Sequence, residues 1–180
     1  MGPLKTPSPP SAFYVANRER LRDAARLGPV ADLACGRGRH ALAAARDGLP
    51  TLGLDRNPDF LASLRVRATL ESLPLHLLRW DLETPLGVPF ARARCGAILV
   101  FRFLYRPLAP ILAELLAPDG MLLYETFTTG QLELGEGPRN PAFLLEPGEL
   151  PELFPSLEIV SFDEGLHEDA VTARLVARRR

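Results

Sequence analysis

Short apolar runs alternate with amphipathic stretches along most of the chain, and glycine or proline usually separates them. Apolar runs of five or six residues lie at 30–34, 51–55, 75–79, 96–101 and 121–126. Runs this short between turn residues predict buried β-strands. The stretches at 38–47, 57–72 and 107–117 have the pattern of helices, and 85–94 is predicted to be a loop. The alternation predicts a mostly parallel sheet with helices on both faces.

The two ends of the chain depart from this alternation. Residues 1–10 contain four prolines and predict an N-terminal arm, followed by a helix from Ser11 to Leu27 that Gly28 and Pro29 end. Residues 128–147 are rich in glycine and proline and predict a loop. A short helix at 148–154 leads to strands at 157–162 and 170–177, whose short link predicts an antiparallel pair at the sheet edge. The expected fold is therefore a Rossmann-like, doubly wound α/β sheet of seven mostly parallel strands with an antiparallel edge strand, in a single domain over residues 11–180.

Composition excludes several classes of function. A chain of 180 residues fits one domain, and its net charge of −1 argues against a nucleic-acid partner, which needs a basic excess. Cys35 and Cys95 form no CxxC pair and the three histidines are scattered, so no metal site is expected. No apolar run is long enough to span a membrane and no signal peptide is visible. We expect a cytoplasmic protein, a monomer or a homodimer.

Candidate chemistry lies where the predicted parallel strands end, since ligands bind at the carboxyl ends of such strands. Asp32 precedes a glycine turn formed by Gly36 and Gly38, which lets backbone approach a ligand closely. Asp55 ends the second strand, in position to accept hydrogen bonds from ribose hydroxyls. Asp81 follows the third strand, in position to accept from an exocyclic amine. This row of carboxylates fits a cofactor that contains adenosine.

Two adenosine cofactors fit the glycine turn to different degrees. Residues 36–41 match the dinucleotide fingerprint G-x-G-x-x-A, with an acidic residue about 20 positions further on, as NAD-binding proteins have. Asp32, however, would repel the pyrophosphate of NAD, whereas it suits the ammonium and sulfonium groups of S-adenosylmethionine. S-adenosylmethionine is the favoured cofactor, and an NAD(P)-binding oxidoreductase is the alternative.

A series of motifs then resembles a known family. VADLACGRGRHALAAA, LDRNP, LRWDLE, CGAILVFRFL and LAPDGMLLYETF occur in order over residues 30–127 and resemble the motifs of class I S-adenosylmethionine-dependent methyltransferases. ACGRGRHALAAARDG, FLYRPL, YETFTTG, NPAFLLEPGEL and LHEDAVTARLVARR are similar to the tellurite-resistance (TehB-like) methyltransferases. One departure is Ala34, where the glycine turn of the family usually begins with glycine.

The resemblance implies roles for residues at the matching positions. Residues lining the methionine part of the cofactor would be Asp32, Ala34, Cys35, Gly36 and Gly38. Around the adenosine, Asp55 would bind the ribose and Arg56 would flank the adenine, whose amine Asp81 would bind with Leu82 beside it. Residues beneath the methionine amine or closing the site would be Phe101, Arg102 and Tyr14.

The methyl acceptor is expected to be a small molecule above the fourth to sixth strands. Residues expected near it are Arg102, Tyr105, Glu125, Asn140, Phe143 and His167, of which Arg102, Tyr105 and His167 are the catalytic candidates. Arg102 suits an anion, such as a metalloid oxyanion. His167 matches a histidine of the tellurite-type pattern, but Glu168 follows it where that family has arginine. A non-catalytic S-adenosylmethionine-binding protein is a further alternative, and its site would be blocked above the sulfonium.

Overall fold

A computed structural model describes residues 8–84 and 87–180. Residues 1–7 of the predicted N-terminal arm, and residues 85 and 86 of the predicted loop, lie outside this range. The strands are β1 (Val30–Leu33), β2 (Thr51–Asp55), β3 (Leu75–Arg79), β4 (Cys95–Phe101), β5 (Leu116–Phe127), β6 (Glu158–His167) and β7 (Ala170–Arg178). The helices are α1 (Ala12–Ala16), α2 (Arg18–Ala24), α3 (Arg39–Arg46), α4 (Pro58–Leu70), α5 (Ala109–Leu115) and α6 (Glu149–Glu152). Short 3₁₀ turns lie at Arg106–Leu108, Thr129–Leu134 and Pro141–Phe143.

The strands form one sheet in the order β3-β2-β1-β4-β5-β7-β6. Strands β1 to β5 pair in parallel, and β7 pairs antiparallel with both β5 and β6. The predicted fold class is confirmed, and the antiparallel strand β7 lies one position in from the edge strand β6. The strand order reverses between β1 and β4, so a ligand site is expected at the carboxyl ends of these two strands.

Apolar side chains pack on both faces of the sheet, as the central strand β4 illustrates. All seven residues of β4 are buried. Ile98 and Val100 pack on the face that α5 and α6 cover, whereas Leu99 packs on the opposite face with α1, α2 and α3. A run without polar residues is what a parallel strand covered on both faces requires. No helix among the described residues has the length and apolar character that a membrane span needs.

The predicted helix over residues 11–27 is two helices, because the backbone changes direction at Asn17. Ser11 caps α1 by accepting the Tyr14 N–H, as expected of an N-cap residue. Asn17 has φ −105° and ψ 9°, outside the helical region, and its side-chain amide donates to the Phe13 carbonyl at 2.9 Å. Asparagine side chains compete in this way with backbone hydrogen bonds and interrupt helices.

The predicted helix at 107–117 is shorter than expected, and the following strand is longer. α5 ends at Leu115 and β5 begins at Leu116, which pairs with Cys95 before an irregularity shifts the register to Ala97 opposite Met121. The backbone leaves the helical region at Leu116, whose ψ is 138°, and Pro118 disfavours a return to it at Ala117, the residue before the proline. The guanidinium of Arg179 also donates to the Leu116 carbonyl at 2.6 Å, which satisfies a carbonyl at this end of the helix.

β6 runs five residues beyond the predicted end at Phe162 and stops at His167. The extension is acidic, and an edge strand tolerates charged residues because one of its sides faces solvent. The link to β7 is only Glu168 and Asp169, with Glu168 at φ 55°. This turn lies at the carboxyl ends of the parallel strands, where the candidate site is.

Candidate functional site

The turn between β1 and α3 brings backbone amides to the carboxyl end of β1. Ala34, Gly36 and Gly38 all have left-handed backbone conformations, with φ of 54°, 55° and 76°. The Cys35 N–H donates to the Leu54 carbonyl at 2.8 Å, which joins the turn to β2. The glycines found from the sequence therefore sit where a left-handed backbone is required.

Asp55, at the end of β2, holds the same turn. Its Oδ2 accepts the Gly36 N–H at 2.7 Å and its Oδ1 accepts the Asn57 N–H at 2.8 Å. A carboxylate oxygen has lone pairs for more than one donor, so both oxygens can still accept from a ligand hydroxyl. Asp55 is thus a structural tie as well as a candidate ligand-binding group.

Asp32 lies beneath the turn and is buried. Its Oδ2 accepts the Ala41 N–H in the first turn of α3 at 2.8 Å. Burial raises the pKa of Asp32 to about 7, and the Ala41 hydrogen bond and the charge of Arg39 oppose that rise only in part. The residue is therefore a carboxyl group that changes charge near neutral pH, and it faces the cavity described below.

The two glycines of the turn have different surroundings. A Cβ at Gly38 would overlap the side chain of Leu64 in α4, so Gly38 allows the turn to pack against that helix. A Cβ at Gly36 would meet no atom within 4 Å. The open space beside Gly36 is what a close approach of ligand to backbone needs.

A slot of about 170 Å³ lies between the ends of β1, β2, β3 and β4. The described residues that line it are Ala34, Asp55, Arg56, Trp80, Asp81, Leu82, Glu83 and Phe103. The structure thus brings together four of the residues predicted around an adenosine, Asp55, Arg56, Asp81 and Leu82, with Ala34 beside them. We refer to it below as the adenosine slot. Its apolar walls and its three carboxylates, Asp55, Asp81 and Glu83, suit a flat base carrying polar edges.

Trp80, Glu83 and Phe103 line the adenosine slot without having been predicted. The Trp80 indole donates to the Gly87 carbonyl at 2.7 Å, which fixes the ring, and Glu83 pairs with Arg56 at 2.9 Å. Trp80 directly follows β3 and Phe103 lies two residues after β4, so the strand-end rule that selected Asp81 would also have selected them.

A second cavity, of about 440 Å³, lies over the glycine turn. We call it the turn cavity. The described residues that line it are Ser8, Asp32, Ala34, Cys35, Gly36, Arg37, Gly38, Arg39, His40, Phe101 and Arg102. Ala34 lines both spaces, so the turn cavity and the adenosine slot are neighbours along the ends of the strands. All predicted cofactor residues except Tyr14 line one or both of them.

Phe101 and His40 form one wall of the turn cavity. Their rings stack with centroids 3.7 Å apart. His40 Nε2 accepts the Ser11 N–H at 3.2 Å, and burial lowers the pKa of His40 to about 2, so the ring is a neutral acceptor. This contact connects the start of α1 to the cavity, a role for His40 that the sequence did not indicate.

Arg102 follows β4 in a left-handed conformation, with φ 56°. Its N–H donates to the Glu125 carbonyl at 2.8 Å, and its guanidinium pairs with Asp169 of the β6–β7 turn at 3.0 Å. A non-glycine residue held in this strained conformation is a feature that clusters at functional sites. Arg102 therefore lies at the border between the predicted cofactor and substrate regions.

Tyr14, Tyr105 and His167 are not among the described residues that line either cavity. Tyr14 is buried in the core, its hydroxyl donates to Asp47 Oδ2 at 3.4 Å, and burial raises its pKa. Tyr105 precedes the 3₁₀ turn at Arg106–Leu108 and packs against the core. His167 ends β6, where its ring nitrogens contact Thr172 Oγ1 at 2.9 Å and Asp163 Oδ2 at 2.6 Å.

The remaining residues expected near the acceptor make structural contacts. Glu125 is buried and pairs with its cross-strand neighbour Arg174 at 2.7 Å. Asn140 caps the 3₁₀ turn at Pro141–Phe143 by accepting the Ala142 N–H, and Phe143 is exposed. The structure gathers the predicted cofactor residues closely, and it does not gather the predicted substrate residues into one cavity.

Comparisons with known proteins agree with this geometry. No protein-family model matches the sequence, and no curated protein matches it. Solved structures do match. TehB from Haemophilus influenzae matches with a TM-score of 0.70 and 21% sequence identity. The match covers 90% of this chain and 62% of the TehB chain. Geranyl diphosphate C-methyltransferase from Streptomyces coelicolor A3(2), in complex with S-adenosyl-L-homocysteine, has a TM-score of 0.66 at 14% identity over 92% of this chain and 80% of that enzyme.

A third match, the [4+2]-cyclase SpnF, has a TM-score of 0.71 at 14% identity over 97% of this chain and 84% of SpnF. Identities this low establish the fold, and the reaction has to be argued from the site. The predicted resemblance is thus confirmed at the level of architecture: the chain has the fold of S-adenosylmethionine-dependent methyltransferases, and TehB is among the structures that it resembles.

Proposed function

We propose that the protein binds S-adenosylmethionine along the carboxyl ends of β1 to β4 and transfers its methyl group to a small-molecule nucleophile. The observation that supports this most is the adjacency of the adenosine slot and the turn cavity, which share Ala34 and meet beside Asp55. S-adenosylmethionine consists of an adenosine joined to a methionine, and the two spaces match these two parts in order.

In this proposal the adenosine slot holds the nucleoside. Trp80, Leu82 and Phe103 provide apolar surface for the adenine ring. The Asp81 carboxylate accepts from the exocyclic amine, and Asp55 accepts from the ribose hydroxyls while it keeps its bond to Gly36. Such sites are mostly apolar with a few placed polar groups that fix orientation.

The turn cavity holds the methionine part. The open backbone at Gly36 allows close approach, and Cys35, Gly38 and Phe101 complete the walls. Asp32 is the carboxyl group that complements an ammonium there. The methionine part of the cofactor carries an ammonium group, which a carboxylate beneath the turn attracts. The same carboxylate would repel a pyrophosphate.

When bound, S-adenosylmethionine supplies a methyl group already activated by its sulfonium. The protein's contribution is therefore to align the acceptor and to exclude water rather than to provide strong acid or base catalysis. Arg102 borders the turn cavity and suits an anionic acceptor, of which a metalloid oxyanion is one candidate. Tyr105 and His167 remain candidates for contact with the acceptor from outside the cavities.

Isothermal titration calorimetry tests the binding step. The wild-type protein is expected to bind S-adenosylmethionine and S-adenosylhomocysteine, and to bind NAD more weakly than either. Asp81→Ala should weaken S-adenosylhomocysteine binding about 10-fold, the effect of losing one hydrogen bond to a charged group. The 6-deamino analogue of S-adenosylhomocysteine, which carries hydrogen in place of the exocyclic amine, should bind the wild type and Asp81→Ala equally.

Asp23→Ala is the matched control, because Asp23 is exposed on α2 and pairs with Arg26 at the surface. Binding of NAD in preference to both sulfur ligands would overturn the proposal. An assay for S-adenosylhomocysteine formation with a set of small acceptors distinguishes cofactor binding alone from methyl transfer. The non-catalytic alternative predicts that no acceptor, metalloid oxyanions included, increases that product above background.

A further inference from the structure

Arg39 is the first residue of α3 and follows Gly38 directly. It lines the turn cavity together with Asp32 and Arg102. The Nη2 atom of Arg39 is buried and has no hydrogen-bond partner among the described residues. A buried donor without a partner is unusual, because leaving a charged group unsatisfied costs more than a typical hydrogen bond contributes.

The other arginines at this end of the sheet have partners. Arg102 pairs with Asp169, Arg174 pairs with Glu125, and the Arg37 guanidinium lies over the Phe60 ring at 4.5 Å. No described carboxylate forms an ion pair with Arg39. Burial and the charge of Arg102 lower its pKa, against the opposing charges of Glu125, Glu168 and Asp32. Arg39 thus lines the turn cavity with a guanidinium that has an unpaired Nη2 and no ion-pair partner among the described residues.

The charges that line the turn cavity suggest which anion completes the site. Asp32 is the one carboxylate among its described lining residues, and Arg39 is the cation there that lacks a partner. The methionine part of the proposed cofactor carries one ammonium and one carboxylate. An acid beneath the turn and an unpaired guanidinium beside it complement that zwitterion.

We propose that Arg39 binds the α-carboxylate of the S-adenosylmethionine methionine moiety. This inference rests on the proposed function, and it assigns to Arg39 a role in discriminating the cofactor from nucleosides without an amino-acid tail. Arg102 then remains available to the acceptor, because an anionic acceptor can replace its exposed partner Asp169.

Decarboxylated S-adenosylmethionine, which lacks only this carboxylate, provides the test by calorimetry. Arg39→Gln should weaken S-adenosylmethionine binding about 10- to 100-fold, the range for a hydrogen bond to a charged group. The affinity for decarboxylated S-adenosylmethionine should stay within about two-fold of the wild type. Arg39→Lys keeps the charge without the planar fork and should fall between the wild type and Arg39→Gln.

Arg46→Gln is the matched control, since Arg46 ends the same helix and pairs with Glu71 away from both cavities. It should leave both affinities unchanged. Thermal unfolding separates binding from folding, because removing a buried unpaired charge should leave the midpoint of Arg39→Gln equal to or above that of the wild type.

Two results would overturn the inference while the proposed function stands. One is an equal loss of affinity for both ligands in Arg39→Gln, which would make Arg39 a structural residue. The other is unchanged S-adenosylmethionine affinity, as expected if Arg39 instead binds an anionic acceptor. If the wild type binds neither ligand, the proposed function and the inference both fail.

Discussion

Asp55 accepts the backbone N–H of Gly36 at 2.7 Å, and this bond joins the end of β2 to the glycine turn after β1. Its other oxygen accepts the N–H of Asn57, the residue whose side chain caps α4. The carboxylate expected to bind a ribose therefore also maintains the shape of the site. Binding data for an Asp55 variant consequently combine two effects.

Asp55→Ala should reduce both stability and ligand affinity. Removing the acceptor leaves the Gly36 N–H without a partner, which costs about 1–3 kcal/mol in the free energy of unfolding. Asp81→Ala should stay within about 0.5 kcal/mol of the wild type, because Asp81 is exposed, while it also loses affinity. Urea denaturation with and without S-adenosylhomocysteine measures both quantities. An Asp55→Ala protein as stable as the wild type would contradict the structural half of this role.

Alanine variants of the two glycines of the turn should differ in their effects on stability and on ligand binding. Gly38→Ala places a Cβ against Leu64 in addition to a strained left-handed backbone, which predicts a loss of about 2–4 kcal/mol. Gly36→Ala carries the backbone strain alone, about 1–2 kcal/mol, because a Cβ there meets no atom within 4 Å. For the same loss of stability, Gly36→Ala should weaken S-adenosylhomocysteine binding more than Gly38→Ala does. The reason is that its methyl group enters the open space beside the turn cavity. Equal stability of the two variants would count against the Leu64 contact.

The sheet could be predicted from sequence, and so could the clustering of the predicted cofactor residues around two neighbouring cavities, because both depend on local pattern. The approximate positions of β1 to β4, the glycines of the turn and the acidic residues at strand ends can be recognised from neighbours within a few positions. The elements that were misplaced depend on distant contacts. β5 begins at Leu116 because Cys95 pairs with it, and β6 extends to His167 because all of that length pairs with β7.

The difference between local pattern and distant contacts also explains two errors in predicting the site. Some residues of the site were missed, and others were expected there but line neither cavity. Tyr14 was expected at the cofactor, but its hydroxyl points to Asp47 at the far end of α3, a contact 33 positions away in the chain. The sequence gives no sign of a role for Arg39, since the lack of a partner for a buried atom is visible only in three dimensions. Predicting which polar groups are paired requires the packed structure.

Ala34→Gly should stabilise the protein slightly. Ala34 stands where the resembled family usually has glycine, and its φ of 54° is left-handed. The strain of that conformation in an alanine is about 1–2 kcal/mol, whereas glycine destabilises through the entropy of the unfolded chain by about 0.4–1 kcal/mol. The net expectation is a gain of up to about 1 kcal/mol in the free energy of unfolding, measured by urea denaturation. A clear loss of stability would mean that the alanine methyl group contributes packing between the adenosine slot and the turn cavity.

Asp32→Asn should increase the free energy of unfolding and weaken ligand binding, and the gain in stability should depend on pH. Folding raises the pKa of Asp32 from 3.8 to about 7, so the folded protein holds this proton more tightly than the unfolded chain does. The stabilising effect of the neutral form is complete below about pH 4 and is lost as the pH rises through about 7.

Asparagine stays neutral at every pH and keeps an acceptor for the Ala41 N–H. Asp32→Asn should therefore match the wild type near pH 4 and exceed its free energy of unfolding by about 2–4 kcal/mol at pH 8, an order-of-magnitude figure from the raised pKa. Affinity for S-adenosylhomocysteine should fall in the variant because no carboxylate then faces the ammonium. In the wild type, that affinity should increase as the pH rises through about 7, and calorimetry in buffers of different ionisation enthalpy should detect proton release on binding. A stability difference that does not change between pH 4 and pH 8 would show that Asp32 does not change its charge in this range.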